Sequence, residues 1–263
     1  MRTPPRVLRD GEVACLINPA LLEGRAELAL TIALVCNRRL FGLCYRGLLP
    51  DYFEAMPKDS GVLACPIVPT GDVVPGAERP GDIDLLVVPY EGNDLILGRA
   101  LAIEVKAVRA TYLRQGRSPN DYGFSQARGL TALGFPHVGL AHLIVSDASP
   151  PRSWRAMKAV QVLDEEGRTT APFDVTMDML AVDLVERAFG RLQANTTQPG
   201  LGLVAAYLDG DEFSAEGRAG GPRLWVPRTR PAHLNPAVDP LMLQRVGELY
   251  ERHSAHFIPI PRY

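Results

Sequence analysis

Lysine is almost missing from this chain. Of its 28 basic residues only Lys58, Lys106 and Lys158 are lysines; the rest are arginine. Cysteine is scarce as well. Cys15, Cys36, Cys44 and Cys65 stand at spacings that match no zinc pattern, and four are few for a disulfide framework in 263 residues, so buried free thiols are expected. The five histidines form no ligand motif; His253-x-x-His256 comes nearest and reads as a feature of the tail rather than a metal site. No stretch approaches the ~20 uninterrupted apolar residues of a membrane span. No apolar segment follows the first basic residues, so a secreted or membrane-bound form is not expected and the cytoplasm is the default. A net charge of −2 excludes a uniformly basic nucleic-acid binder. Internal repeats and low-complexity tracts are absent too.

What is present is an ordinary globular composition, 46% hydrophobic and 22% charged. Its most informative stretch is 80–108, PGDIDLLVVPYEGNDLILGRALAIEVKAV. The apolar runs Ile83–Val88 and Leu101–Val108 flank the turn formers Pro89, Gly92, Asn93, Asp94 and Gly98, a pattern that predicts two paired strands. Side chains two apart on a strand share a face, so Glu104 and Lys106 leave one face of the second strand and Asp82 and Asp84 one face of the first. Carboxylates from neighbouring strands with an ammonium beside them can form a site for Mg²⁺, with Mn²⁺ able to substitute, since both are hard cations that take oxygen ligands and bridge to phosphate. Asp84 and Glu104 are the expected ligands, the backbone carbonyl of Val105 a third. Lys106 is then placed to orient a water and stabilise a pentavalent phosphorus. In a chain that uses arginine nearly everywhere else, a lysine inside an apolar strand reads as selected for its compact charge and for a pKa that burial can lower. The plain alternative is a cross-strand ion pair on a half-exposed sheet, worth little.

Asp84, a spacer of nineteen residues and Glu104-Val105-Lys106 resemble the signature of the PD-(D/E)xK phosphodiesterase superfamily, the restriction-endonuclease-like nucleases, with Ile83 in place of the signature proline. The resemblance covers roughly the first half of the chain. It implies an α/β fold with a mixed central sheet flanked by helices, and metal-dependent hydrolysis of nucleic acid, DNA before RNA. It also implies an acidic residue on the first core helix, for which Glu27 is the candidate and Glu23 the competitor, and a helix glutamine after the lysine strand, matched by Gln126.

Elsewhere, Asn18-Pro19 predicts the start of a largely buried helix over 20–39, and a strand is expected at 12–17. Residues 40–80 read as Gly- and Pro-rich connection with a strand near 61–68, and 70–80 as a loop beside the site. Residues 111–122 read as a mobile loop. Arg109, Arg114 and Arg117, together with Arg128 beyond it, give a local basic surplus suited to a nucleic-acid backbone. A helix over 124–133 and a buried strand over 138–145 follow. Residues 149–175 look irregular, 178–193 amphipathic helix, 201–208 strand, and 240–253 helix. Trp225, among Arg223, Arg228 and Arg230, reads as packing rather than a stacking platform. Two parts are expected, a nuclease-like core over 1–148 and a C-terminal α+β extension over 149–263 packed on it, with one continuous domain left open; nothing excludes a homodimer.

Two other readings use the same residues. Asp82-Ile83-Asp84 resembles the paired-acid strand of polymerase-β-like nucleotidyltransferases, but that family's Gly-Ser pair has no counterpart, since residues 66–80 contain no serine. A non-catalytic nucleic-acid-binding module on a nuclease-like scaffold is the other, although such a module would have no need to keep Asp84, Glu104 and Lys106 together.

Overall fold

Alternating apolar side chains along the strands decide which core each residue enters. In the computed structural model, which describes residues 19–75, 81–115, 122–208 and 226–262, ten strands are formed. They are β1 Ser60–Pro69, β2 Asp82–Glu91, β3 Asp94–Leu95, β4 Leu101–Ala110, β5 His137–Ser146, β6 Arg155–Ala159, β7 Phe173–Met177, β8 Gly202–Tyr207, β9 Arg228–Arg230 and β10 Ile258–Pro261. The helices are α1 Pro19–Leu22, α2 Ala26–Cys36, α3 Arg38–Leu48, α4 Pro50–Ala55, α5 Thr70–Val73, α6 Phe124–Ala132, α7 Leu180–Asn195 and α8 Pro240–His253.

One mixed sheet runs in the order β10-β1-β2-β4-β5-β8-β9, with β3 folded back onto β2. Strands β4, β5 and β8 are parallel, and the other pairs antiparallel. On β4, Leu101, Ile103 and Val105 enter one core, where Leu34, Val35, Phe41 and Leu48 of α2 and α3 cover them. Ala102, Val108 and Ala110 enter the other, against Ala127 and Leu130 of α6, Leu184 and Ala188 of α7, and Val246 of α8. The chain is therefore an α/β protein, a central mixed sheet with helices on both faces. Glu104 and Lys106 fall in the same row, between Ala102 and Val108.

The two expected strands pair antiparallel, and β4, α6 and β5 follow as the sequence suggests. Several expectations need correction. The single helix over 20–39 is three pieces. Gly24 takes φ +71° between α1 and α2, and Asn37 ends α2 and caps α3, its side chain accepting from the Leu40 N–H at 3.0 Å. In α2 only Thr31, Leu34 and Val35 are fully buried. Residues 40–80 contain α3, α4 and one helical turn, α5, besides the expected strand. Residues 149–175 contain the antiparallel hairpin β6–β7. Beyond residue 148 the chain supplies β8, β9 and β10 to the same sheet, so no break in the sheet separates the expected core from its extension. Cys44 and Cys65 are buried thiols, each pushed up to about 12 by burial. Cys36 is exposed instead. The strand expected at 12–17, Cys15, Arg117, Arg223 and Trp225 lie outside the described residues.

Candidate functional site

Pairing between β2 and β4 stops at Leu85↔Ile103. The next pair in that register would be Asp84 with Glu104, and it does not form. Instead, Asp84 Oδ2 accepts the Val105 backbone N–H at 2.7 Å, a bond that a continued ladder would have given to a carbonyl. The ladder fails on the other side of β2 too. Pro66↔Leu85 and Val68↔Ile83 pair, while Ile67, which lies between and faces Asp84, does not. Ile67 holds φ +56°, the left-handed region, a conformation that a β-branched residue pays roughly 1–3 kcal/mol to adopt. On the β4 side the ladder thus ends at Asp84, and on the β1 side it is interrupted at Ile67 alone. Because a strand residue directs its N–H and C=O to the same side, the Val105 carbonyl also faces the gap.

Glu104 and Lys106 are 1% and 6% exposed, which rules out the half-exposed ion pair. Lys106 Nζ lies 2.6 Å from Glu104 Oε1 and 3.4 Å from Glu27 Oε2. Glu104 Oε1, fully buried, makes that ion pair without a well-angled hydrogen bond. Glu27, at the start of α2, also accepts from the Tyr122 hydroxyl at 3.3 Å. Glu23 is exposed one turn earlier and does not join the cluster. Lys106 Nζ sits 5.6 Å from the centre of the Tyr122 ring. That ring meets His142 edge-on at 5.9 Å, and the Tyr122 carbonyl lies 3.2 Å from His142 Nε2. Next along the chain, Gly123 takes φ +88° at the start of α6. A Cβ there would come within 2.5 Å of Leu140 Cδ1 and 3.1 Å of Lys106 Cγ, so only glycine lets this turn lie against the charged pair.

Crowding sets the charges. Burial, then the Asp84 carboxylate, pushes the Glu104 carboxyl up to about 7. Burial also raises Asp84, against the Val105 N–H and Lys106, which favour its charged form. For Lys106 burial works against the ammonium, but Glu104, Glu27 and Asp84 together outweigh it and its pKa is raised. Burial alone would lower Lys106, but its carboxylate neighbours favour the charged form and reverse that direction.

Comparison with known proteins gives no relative. No family model, curated protein or solved structure matches the chain.

A cleft of about 650 Å³ reaches the Glu27, Asp84 and Tyr122 side of this cluster, with Asp82, Arg25 and Arg109 also in its wall. Arg109 is one of its lining residues. The exposed Arg114 and Arg128 and the half-buried Gln126 of α6 are not among them, and neither are the buried Glu104 and Lys106. Arg228 and Arg230 are engaged elsewhere, Arg228 with Glu186 and Arg230 with the Leu201 and Gln198 carbonyls. Arg25, Tyr122, Gly123 and His142 were not singled out from sequence. His142 carried a usable signal, a polar residue inside the apolar run Val138–Val145, the same anomaly that marks Glu104 and Lys106.

Among the described residues no group of three His, Cys, Asp or Glu side chains is close enough to hold a metal. The donors around the gap are two carboxylates and a backbone carbonyl. Such a set suits Mg²⁺, which binds through one or two carboxylates and keeps several waters. The raised Asp84 and Glu104 carboxyls are what a cation would relieve.

Proposed function

We propose that this chain is a Mg²⁺-dependent nuclease with a restriction-endonuclease-like core, hydrolysing phosphodiester bonds in nucleic acid, DNA in the first instance. The observation that carries the reading is the interrupted ladder at Asp84, which turns two strands apart at the one place where two carboxylates and a buried lysine meet. Asp84, Glu104 and the Val105 carbonyl would hold the cation. When bound, it acidifies a water and offsets charge growing on the phosphate. Lys106, charged and held by Glu104 and Glu27, directs a hydrogen bond towards the attacking water and stabilises negative charge on phosphorus oxygens. Glu27 and Tyr122 fix the direction of that ammonium. Arg25 and Arg109, exposed at the cleft, bind flanking phosphates.

The test is cleavage of plasmid and of labelled oligonucleotides across a Mg²⁺ and Mn²⁺ titration, for the parent, Asp84→Asn and Lys106→Met. Metal-dependent cutting by the parent, lost by at least about 10²-fold in each variant, is expected. Cutting that ignores metal, or that survives both substitutions, contradicts the proposal. Incorporation of labelled nucleotide without cutting would favour a nucleotidyltransferase using Asp82 and Asp84, and binding without either reaction a non-catalytic module.

A further inference from the structure

A second cleft, of about 640 Å³, opens beside the first. The two share Arg25, Leu28, Ile67 and Asp82 in their walls, so they form one continuous depression with the strained Ile67 at the junction. Their chemistry differs. The first is lined by the acidic cluster and Arg109. The second is walled largely by apolar side chains, among them Ile32, Val68, Leu249 and Phe257. At its rim the rings of His253 and His256 stack 5.3 Å apart and within 9° of parallel, with His256 exposed.

Resting on the nuclease reading, we infer that this second cleft is a subsite for an unstacked nucleobase of the strand being cut, which makes the protein selective for single-stranded over duplex DNA. The apolar lining decides which part of a nucleotide the second cleft takes, and the Asp72 and Asp82 oxygens in its wall can accept from the N–H groups of a base edge. Arg25, at the junction, meets the phosphate between the two. The apolar wall and the stacked imidazoles supply the faces on which a base packs, as aromatic side chains do wherever single strands are held. A paired base in an intact duplex cannot enter a depression of this kind without leaving its stack, which costs a few kcal/mol. A single strand is spared that cost.

The test is fluorescence anisotropy in EDTA, so that binding is read without cutting. The probes are a short labelled single-stranded oligodeoxynucleotide carrying 2-aminopurine, its blunt duplex, and the same strand with one abasic site. The full chain is compared with His256→Ala and Ala255→Trp, both at exposed positions, and thermal melts confirm that each variant folds. The parent is expected to bind the single strand at least about tenfold tighter than the duplex and to quench the 2-aminopurine. Each substitution, and the abasic site, is expected to weaken single-strand binding by about tenfold while duplex affinity stays the same. Equal affinity for both forms, or a single-strand preference that survives both substitutions, overturns the inference. Selective binding without cleavage in Mg²⁺ would sink the nuclease reading and leave the subsite. Cleavage at equal rates on single and double strands, indifferent to both substitutions, would sink the subsite alone. No binding to either form overturns both.

Discussion

Lys106 and the two buried carboxylates depend on one another. Removing the amine strands Glu104 and Asp84 as neighbouring buried acids, and breaking a buried ion pair from one side costs about 3–5 kcal/mol. Lys106→Met is therefore expected to lower the urea midpoint at neutral pH strongly, and Glu104→Gln in the same chain to recover most of the loss. A midpoint unchanged by Lys106→Met would mean that the pair is solvated. Asp84 separates two roles within one side chain. Asparagine keeps an oxygen for the Val105 N–H and drops the charge, so Asp84→Asn should fold like the parent yet lose activity. Asp84→Ala orphans that N–H and should cost a further ~1–3 kcal/mol, read from the same denaturation curves.

At the scale of elements, the site exists because β2 leaves β4 one residue before the acidic pair and because α6 begins against it on a glycine. Gly123→Ala asks for a side chain at φ +88° within 2.5 Å of Leu140. It is expected to destabilise by about 1–3 kcal/mol and to cut activity by displacing Lys106; parental stability and rate would show that the turn has room. The strands and their charged residues were legible in the sequence because an acid and an amine interrupting an apolar run have few bland explanations. Glu27 was legible as an acid among apolar helix residues, although choosing it over Glu23 required knowing where α2 begins. Arg25, Tyr122 and Gly123 were not legible, since nothing local says that a helix start and a turn nearly a hundred residues apart meet at one lysine. The hairpin β6–β7 escaped for a different reason. Its strands are short and half-exposed, so they lack the apolar frame that marks β4 and β5.

Across the whole molecule, the central sheet buries ionisable groups whose responses to pH oppose one another. His137 and His142, both on β5, are lowered to about 4 by burial, with the Arg99 charge adding to it at His137. The native state keeps them neutral while an unfolded chain takes up protons near pH 6.5. Their contribution is present above that value and lost as pH falls towards 4. Glu104, raised to about 7, works in the other direction: its contribution is present in acid and lost as pH rises through 7. Asp84, also raised by burial, sides with Glu104, so the histidine contribution is read by substitution rather than from the total. In chelator, His137→Leu is expected to make the urea midpoint less sensitive to acidification between about pH 7 and pH 5 than it is in the parent; the same pH dependence in the variant would put the acid sensitivity elsewhere. Among the described residues no single helix is long and apolar enough to cross a membrane.

The most direct test of the account is Mn²⁺ binding followed by the loss of the free ion's electron paramagnetic resonance signal. The parent is expected to take up Mn²⁺ with an affinity that Mg²⁺ competes away, and Asp84→Asn, folded to the same melting point, to lose that binding. Identical uptake by parent and variant, or none by the parent at millimolar metal, would contradict the claim that Asp84 and Glu104 form one cation site beside Lys106.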